Sequence, residues 1–91
     1  MTETRSVRVR ISGEVQGVGY RAWTVRRASA LGLSGWVRNT PDGDVEAVFS
    51  GPADSVAEMI VQCRQGPRMA SVSAVEEVGP AEPLSGRFDV R

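Results

Sequence analysis

A short segment with three glycines and a terminal arginine, residues 13–21, has the residue types best suited to binding an anion. It lies between a segment of alternating apolar residues and a segment with helical spacing. Backbone N–H groups of such a loop can converge into a nest for an oxyanion. Arg21 supports this interpretation, because a cation in the first turn of a helix stands at the end of the dipole that favours anions. A phosphate-like dianion between loop and arginine would explain both features.

Two helices and five strands are predicted to position this loop. The strands are predicted over residues 7–11, 35–39, 45–49, 71–78 and 87–90, and the helices over 20–31 and 52–65. Strand, helix, strand, strand, helix, strand in fewer than a hundred residues predicts an α+β fold. We expect a ferredoxin-like βαββαβ sandwich, an antiparallel sheet with both helices on one face. A loosely ordered N-terminus is expected over residues 1–5, and one domain over residues 6–91.

Apolar spacing predicts which faces of these elements are buried. In the first strand, alternation assigns the core face to Val7, Val9 and Ile11. In the second helix, the i, i+3, i+4, i+7 pattern assigns the core face to Val56, Met59, Ile60 and Cys63. In the first helix, the spacing gathers Ala22, Val25, Ala28 and Ser29 on one side and leaves Trp23 on the flank away from it.

Composition excludes several classes of function. The formal net charge is zero, which argues against nucleic acid or an anionic membrane as the main partner. The chain has no histidine, so phosphohistidine catalysis, a Ser-His triad and the commonest metal ligand are absent. Cys63 is the only cysteine, so neither an intramolecular disulfide nor a multi-cysteine metal site can form. No metal and no cofactor are expected.

The distribution of apolar residues gives no sign of a membrane or secreted protein. The first residues are polar, and no apolar run approaches the length of a membrane span. We therefore expect a soluble, cytoplasmic protein. A monomer is the expectation for such a small, neutral domain.

Two motifs resemble those of the acylphosphatases. They are Gly-Glu-Val-Gln-Gly-Val-Gly-Tyr-Arg at residues 13–21 and Gly-Trp-Val-Arg-Asn-Thr-Pro-Asp-Gly-Asp-Val-Glu at residues 35–46. The chain is similar to this family from about residue 7 to residue 90, although Tyr20 stands where phenylalanine is also common. The resemblance implies an enzyme that hydrolyses acyl phosphates to a carboxylate and phosphate without a metal. It assigns phosphate binding to Arg21 and orientation of the attacking water to Asn39.

The residue types are suited to these roles. The backbone N–H groups predicted to hold the phosphoryl oxygens are those of Gln16, Gly17, Val18, Gly19, Tyr20 and Arg21. Glycines allow positive φ angles and close approach of the backbone to a ligand. The carboxamide of Asn39 has both a donor and an acceptor, which is suited to holding a water but not to removing its proton. The small-molecule acyl phosphate is the expected partner.

Other interpretations of the same residues are open to test. Gly17, Gly19 and Ala22 match a dinucleotide-binding pattern, but the chain is too short for the doubly wound sheet it requires. Asp42 and Asp44 resemble the paired aspartates of phosphatases, although a turn at residues 41–43 explains them better. An RNA-binding sandwich would need stacking aromatics in the first strand, which has none on its polar face. An anion-binding module with little turnover is the alternative to an enzyme.

Overall fold

The predicted order of elements is confirmed by the structure, a computed structural model that describes residues 3–91. Its elements are β1 (Thr4–Glu14), α1 (Tyr20–Ala30), β2 (Ser34–Asn39), β3 (Val45–Pro52), α2 (Ala53–Cys63), β4 (Ser71–Pro80) and β5 (Phe88–Val90). They form one five-stranded sheet in the order β4-β1-β3-β2-β5, against which both helices pack. The α+β sandwich predicted from the sequence is therefore present.

The prediction of a wholly antiparallel sheet is wrong at one edge. The strands β1 to β4 pair in antiparallel fashion, but β5 pairs in parallel with β2. The cause is the connection from β4, which runs along one end of the sheet to the opposite edge. On this path Leu84 N–H donates to Ser50 Oγ, and Gly86 C=O accepts from Ser34 Oγ, at the start of β2. A strand that leaves from that end has to run in the direction of β2.

The first strand is longer than its apolar pattern predicts. Thr4 and Arg5 pair with Pro52 and Gly51 of β3, so the expected loose order of residues 1–5 is wrong for these two residues. Residues 1 and 2, which are also in that predicted segment, lie outside the described residues. Sheet pairing reaches beyond the apolar core because backbone hydrogen bonds of a ladder do not require an apolar side chain.

The predicted buried faces are right for β1 and α2 but only partly right for α1, where Ala28 is buried and Val25 packs against the core as predicted. The side chains predicted to be buried in β1 and α2 are all in the core. In α1 the buried residues are Tyr20, Trp23, Thr24 and Ala28, while Ala22 and Ser29 are exposed. A large aromatic side chain buries far more apolar area than alanine or serine, so Trp23 sets the rotation of the helix. Its ring packs at 5.3 Å from that of Tyr20.

The sheet face away from the helices is polar and open. It contains Arg8 and Arg10 of β1, which alternate with the buried valines. Trp36, which the sequence places in the sheet, is half-buried on this face, with the guanidinium carbons of Arg38 and Arg91 5.7 and 5.2 Å from its ring centre. Within residues 3–91, neither helix is long and apolar enough to cross a membrane.

Candidate active site

A cavity of about 350 Å³ lies where the loop after β1, the start of α1 and the end of β2 meet. The residues that line it are Val15, Gly17, Gly19, Tyr20, Arg21, Ala22, Asn39 and Val90. Arg21 and Asn39, 18 positions apart in the sequence, thus share one cavity. Of the predicted loop residues, Gln16 and Val18 do not line it; Val18 packs against the core.

The backbone of the loop has the geometry of an anion nest. Gly17 and Gly19 have φ angles of 75° and 82°, in the left-handed region that favours glycine. A Cβ atom added at either residue would meet no atom within 4 Å, so the loop is open towards solvent. Side chains at these two residues would therefore cost backbone strain and would occupy the open side of the loop.

The N–H groups at the start of α1 are free for a ligand. The first hydrogen bond of the helix runs from Trp23 N–H to Gly19 C=O at 3.0 Å. No side chain caps the helix, and its first turn has no acidic residue. In residues 3–91, no backbone carbonyl accepts a hydrogen bond from the N–H groups of residues 16–22. Such groups at a helix N-terminus bind anions, because the helix dipole adds about half a positive charge there.

The side chain of Arg21 is exposed and pairs with no carboxylate of residues 3–91. Four other arginines (Arg5, Arg8, Arg10 and Arg38) form ion pairs, but Arg21 forms none within residues 3–91. The positive charge of its guanidinium is therefore added to the positive end of the α1 dipole without compensation from the protein. A bound anion would remove this conflict.

Asn39 is the last residue of β2 and lies on the helix-covered side of the sheet. It is two residues beyond the fully buried Val37, so both side chains point to the same face. Its Oδ1 atom is buried and accepts no hydrogen bond from the described part of the chain. Leaving a buried amide oxygen unpaired costs about 1–3 kcal/mol, so a bound water or ligand group is the expected donor to it.

The side chain of Gln16 has a role that the sequence did not reveal. Its Nε2 donates to the carbonyl oxygens of Thr40 and Asp44, both at 2.8 Å. The loop that holds the free N–H groups is thereby attached to the turn that follows Asn39. No sequence pattern indicates this link, because both acceptors are backbone atoms more than twenty residues away.

The paired aspartates of the β2–β3 turn are explained by Arg10. Its Nε donates to Asp44 at 2.7 Å and its Nη2 to Asp42 at 2.5 Å. The Thr40 hydroxyl donates a hydrogen bond to Asp42. This hydrogen bond, together with the positive charge of Arg10, lowers the pKa of the Asp42 carboxyl. The hydrogen bond to Asp44 raises the pKa of Arg10. These aspartates serve to hold a turn, as the sequence predicted.

Tyr20 connects the start of α1 to the end of α2. Its hydroxyl donates to the Cys63 carbonyl at 2.7 Å, and burial raises the phenol pKa, so the group stays a neutral donor. The Cys63 side chain is fully buried, and burial raises its pKa to about 12. This thiol therefore stays protonated in the core and is not a nucleophile.

Tyr20→Phe is expected to lower the free energy of unfolding by about 1–2 kcal/mol, because the buried carbonyl of Cys63 loses its donor. The kcat should stay within about twofold of the wild-type value, since the ring and the backbone N–H are unchanged. Urea unfolding and steady-state kinetics on the same preparation test both statements. A large fall in kcat with unchanged stability would show that the hydroxyl acts on the reaction.

The sequence and the fold both match one family. The family model described as Acylphosphatase matches residues 7–90. The chain is 61% identical over 67 residues to an acylphosphatase of Nitrobacter hamburgensis, covering 74% of this chain and 68% of that protein. It is 52% identical over 90 residues to one of Rubrobacter xylanophilus, covering 98% and 82%. The solved structure of an acylphosphatase from Coxiella burnetii has a TM-score of 0.86 at 38% identity, covering 97% of this chain and 93% of that one.

An α+β sandwich whose first loop has N–H groups without a backbone acceptor, beside an arginine without an ion pair in residues 3–91, has the features of a protein suited to phosphoryl chemistry. The family match over residues 7–90 and the identity to the acylphosphatases named above are more specific. They show that the chain belongs to the acylphosphatase family. It is an acyl phosphate hydrolase, which cleaves the carboxyl–phosphate bond to a carboxylate and inorganic phosphate. The resemblance stated from the two motifs is confirmed.

Proposed function

We propose that the phosphoryl group of the substrate binds between Arg21 and the backbone of residues 16–21. The observation that supports this most strongly is the set of N–H groups in residues 16–22 without a backbone acceptor. Donors fixed in advance towards developing charge stabilise a transition state without reorganisation. The guanidinium of Arg21 adds a planar, two-pronged donor matched to phosphate oxygens.

Asn39 is proposed to hold the attacking water. It lines the same cavity as Arg21, and its Oδ1 is buried without a partner in the described residues. A carboxamide near neutral pH cannot take the proton of the water, so its contribution is orientation in line with the P–O bond. The proton passes to a phosphoryl oxygen, and the carboxylate leaves as a stable anion that needs no general acid.

The chemistry of the site residues favours a reaction without a metal. The lining residues of the cavity contain no carboxylate, histidine or cysteine. The carboxylates of the nearby turn, Asp42 and Asp44, are already paired with Arg10. A loose phosphoryl-transfer transition state needs positioning and charge stabilisation, which the loop and Arg21 supply. We further propose a cytoplasmic monomer, which the small size of the domain and its single, buried thiol support.

Dialysis against a chelator is expected to leave the rate of phosphate release from an acyl phosphate unchanged. Added Mg²⁺ should change the rate by no more than about twofold, through its effect on substrate charge. Release of inorganic phosphate from acetyl phosphate or benzoyl phosphate measures this directly, with a metal-dependent phosphatase as the positive control for chelation. A rate that collapsed in chelator and returned with metal would overturn the proposed site.

A further inference from the structure

Arg10 lies outside the cavity but holds the turn on which Asn39 depends. It is on the open sheet face of β1, and its guanidinium contacts two carboxylates, Asp42 and Asp44, of the turn between β2 and β3. The two contacts use different nitrogens of the same planar group. A guanidinium that contacts two side chains of one turn restricts the turn as a body, which a single contact would not do.

The contacts continue from this turn to the residue next to Asn39. Asp44 N–H donates to Thr40 Oγ1 at 3.0 Å, and Thr40 N–H donates to the Asp44 carbonyl at 2.9 Å. The Thr40 side chain is buried, and Thr40 follows Asn39 directly in the chain. The Thr40 and Asp44 carbonyls also accept from Gln16, at the start of the proposed phosphate loop. Displacement of Asp44 would therefore shift Asn39 relative to that loop.

We propose that Arg10 is a positioning residue for the hydrolysis, which acts by fixing the carboxamide of Asn39 relative to the phosphate loop. The inference rests on the proposed role of Asn39 as the holder of the water. Arg10 neither lines the cavity nor contacts Arg21, so it does not act on the phosphoryl group directly. Its effect belongs to the step in which the water attacks, because positioning errors of about 1 Å cost up to about 10²-fold in rate.

Arg8 provides a matched control on the same strand and the same face. It too forms an ion pair, with Glu46 Oε2 at 3.6 Å, but this partner lies within β3 rather than in the turn. The side chains of Arg8 and Arg10 are comparably exposed, at 48% and 34%. Removing Arg8 thus removes one exposed ion-paired arginine of β1 without releasing the turn.

Arg10→Gln is expected to lower kcat about 10-fold and to leave KM and the inhibition constant of inorganic phosphate within about twofold of wild type. Arg8→Gln should leave all three within about twofold. Arg10→Lys should recover only part of the loss, because an ammonium cannot contact both carboxylates in the geometry of the fork. If Arg10→Gln fails to fold, Arg10→Lys alone still tests the split between kcat and KM.

The decisive comparison adds Arg10→Gln to Asn39→Ala. If Arg10 acts through Asn39, the double variant should have the kcat of Asn39→Ala, because Arg10 has no further effect once the Asn39 carboxamide is absent. Three results would each overturn the proposal: a further loss of kcat of about 10-fold in the double variant relative to Asn39→Ala, an unchanged kcat in Arg10→Gln, or a rise in the KM of Arg10→Gln in place of the fall in kcat. Full activity of Asn39→Ala, or no turnover by wild type, would instead contradict the proposed function itself. Failure of the proposed function can therefore be told apart from failure of the proposal on Arg10.

Discussion

Replacing Arg21 with alanine is expected to abolish most of the activity while leaving the fold intact. The guanidinium supplies the one full positive charge in the cavity, where no carboxylate of residues 3–91 pairs with it. Loss of one donor to a developing oxyanion costs about 10²–10³-fold in rate, and we expect a fall in kcat/KM of at least this order. The inhibition constant of inorganic phosphate should rise as well, because the same contact holds the product.

Two variants make the Arg21 result specific. Arg21→Lys should restore little activity, because a point charge cannot reproduce the two-pronged contact with phosphate. Arg26→Ala removes another exposed arginine of α1 and should change neither kcat nor KM by more than about twofold. The unfolding free energy of Arg21→Ala should stay within about 0.5 kcal/mol of wild type, as for other exposed side chains. Turnover at the wild-type level in Arg21→Ala would rule out the proposed role.

Regular patterns of large apolar residues predicted the fold correctly, whereas weaker patterns did not. The apolar residues of α2 are large and regularly spaced, and those of β1 alternate strictly, so their buried faces were predicted correctly. The first helix has small apolar residues, and spacing alone predicted only part of its buried face, missing the burial of Trp23. The direction of β5 depends on the path of residues 81–87 across the sheet end, which no local pattern encodes.

The site was predictable where residue types and motifs indicate the chemistry directly. The glycine loop and Arg21 were identified from their residue types, and Asn39 from the resemblance of the second motif to the acylphosphatases; the structure brings Gly17, Gly19, Arg21 and Asn39 to one cavity. Their individual roles stay predictions until the variants are measured. The supporting contacts of Gln16, Tyr20 and Arg10 were not predicted, because their partners are distant in sequence and two of the three contact backbone carbonyls.

Asn39→Ala should lower kcat strongly and leave KM and phosphate inhibition nearly unchanged. A group that contacts the water but not the phosphoryl oxygens acts mainly in the transition state, and its loss therefore appears in kcat. The expected cost is about 3–4 kcal/mol, roughly 10²–10³-fold, by comparison with the loss of other positioned polar groups. Steady-state kinetics with an acyl phosphate, together with inhibition by inorganic phosphate, measure both quantities. A rise in KM alone would make Asn39 a binding residue.

Asn39→Asp separates orientation of the water from general-base catalysis. The substitution keeps the shape of the side chain but directs a negative charge towards an anionic substrate, and it replaces the amide donor by an acceptor. If Asn39 only orients the water, the aspartate variant should be at least as inactive as Asn39→Ala, because repulsion of the phosphoryl group outweighs any gain in basicity. If a nearby base is what the reaction lacks, the variant should be active, with a rate that rises with pH through the pKa of a carboxylate. The pH profile of kcat from about pH 4 to pH 8, compared with that of wild type, decides between the two, since the titration of the substrate phosphate is common to both and only the aspartate variant adds a carboxylate.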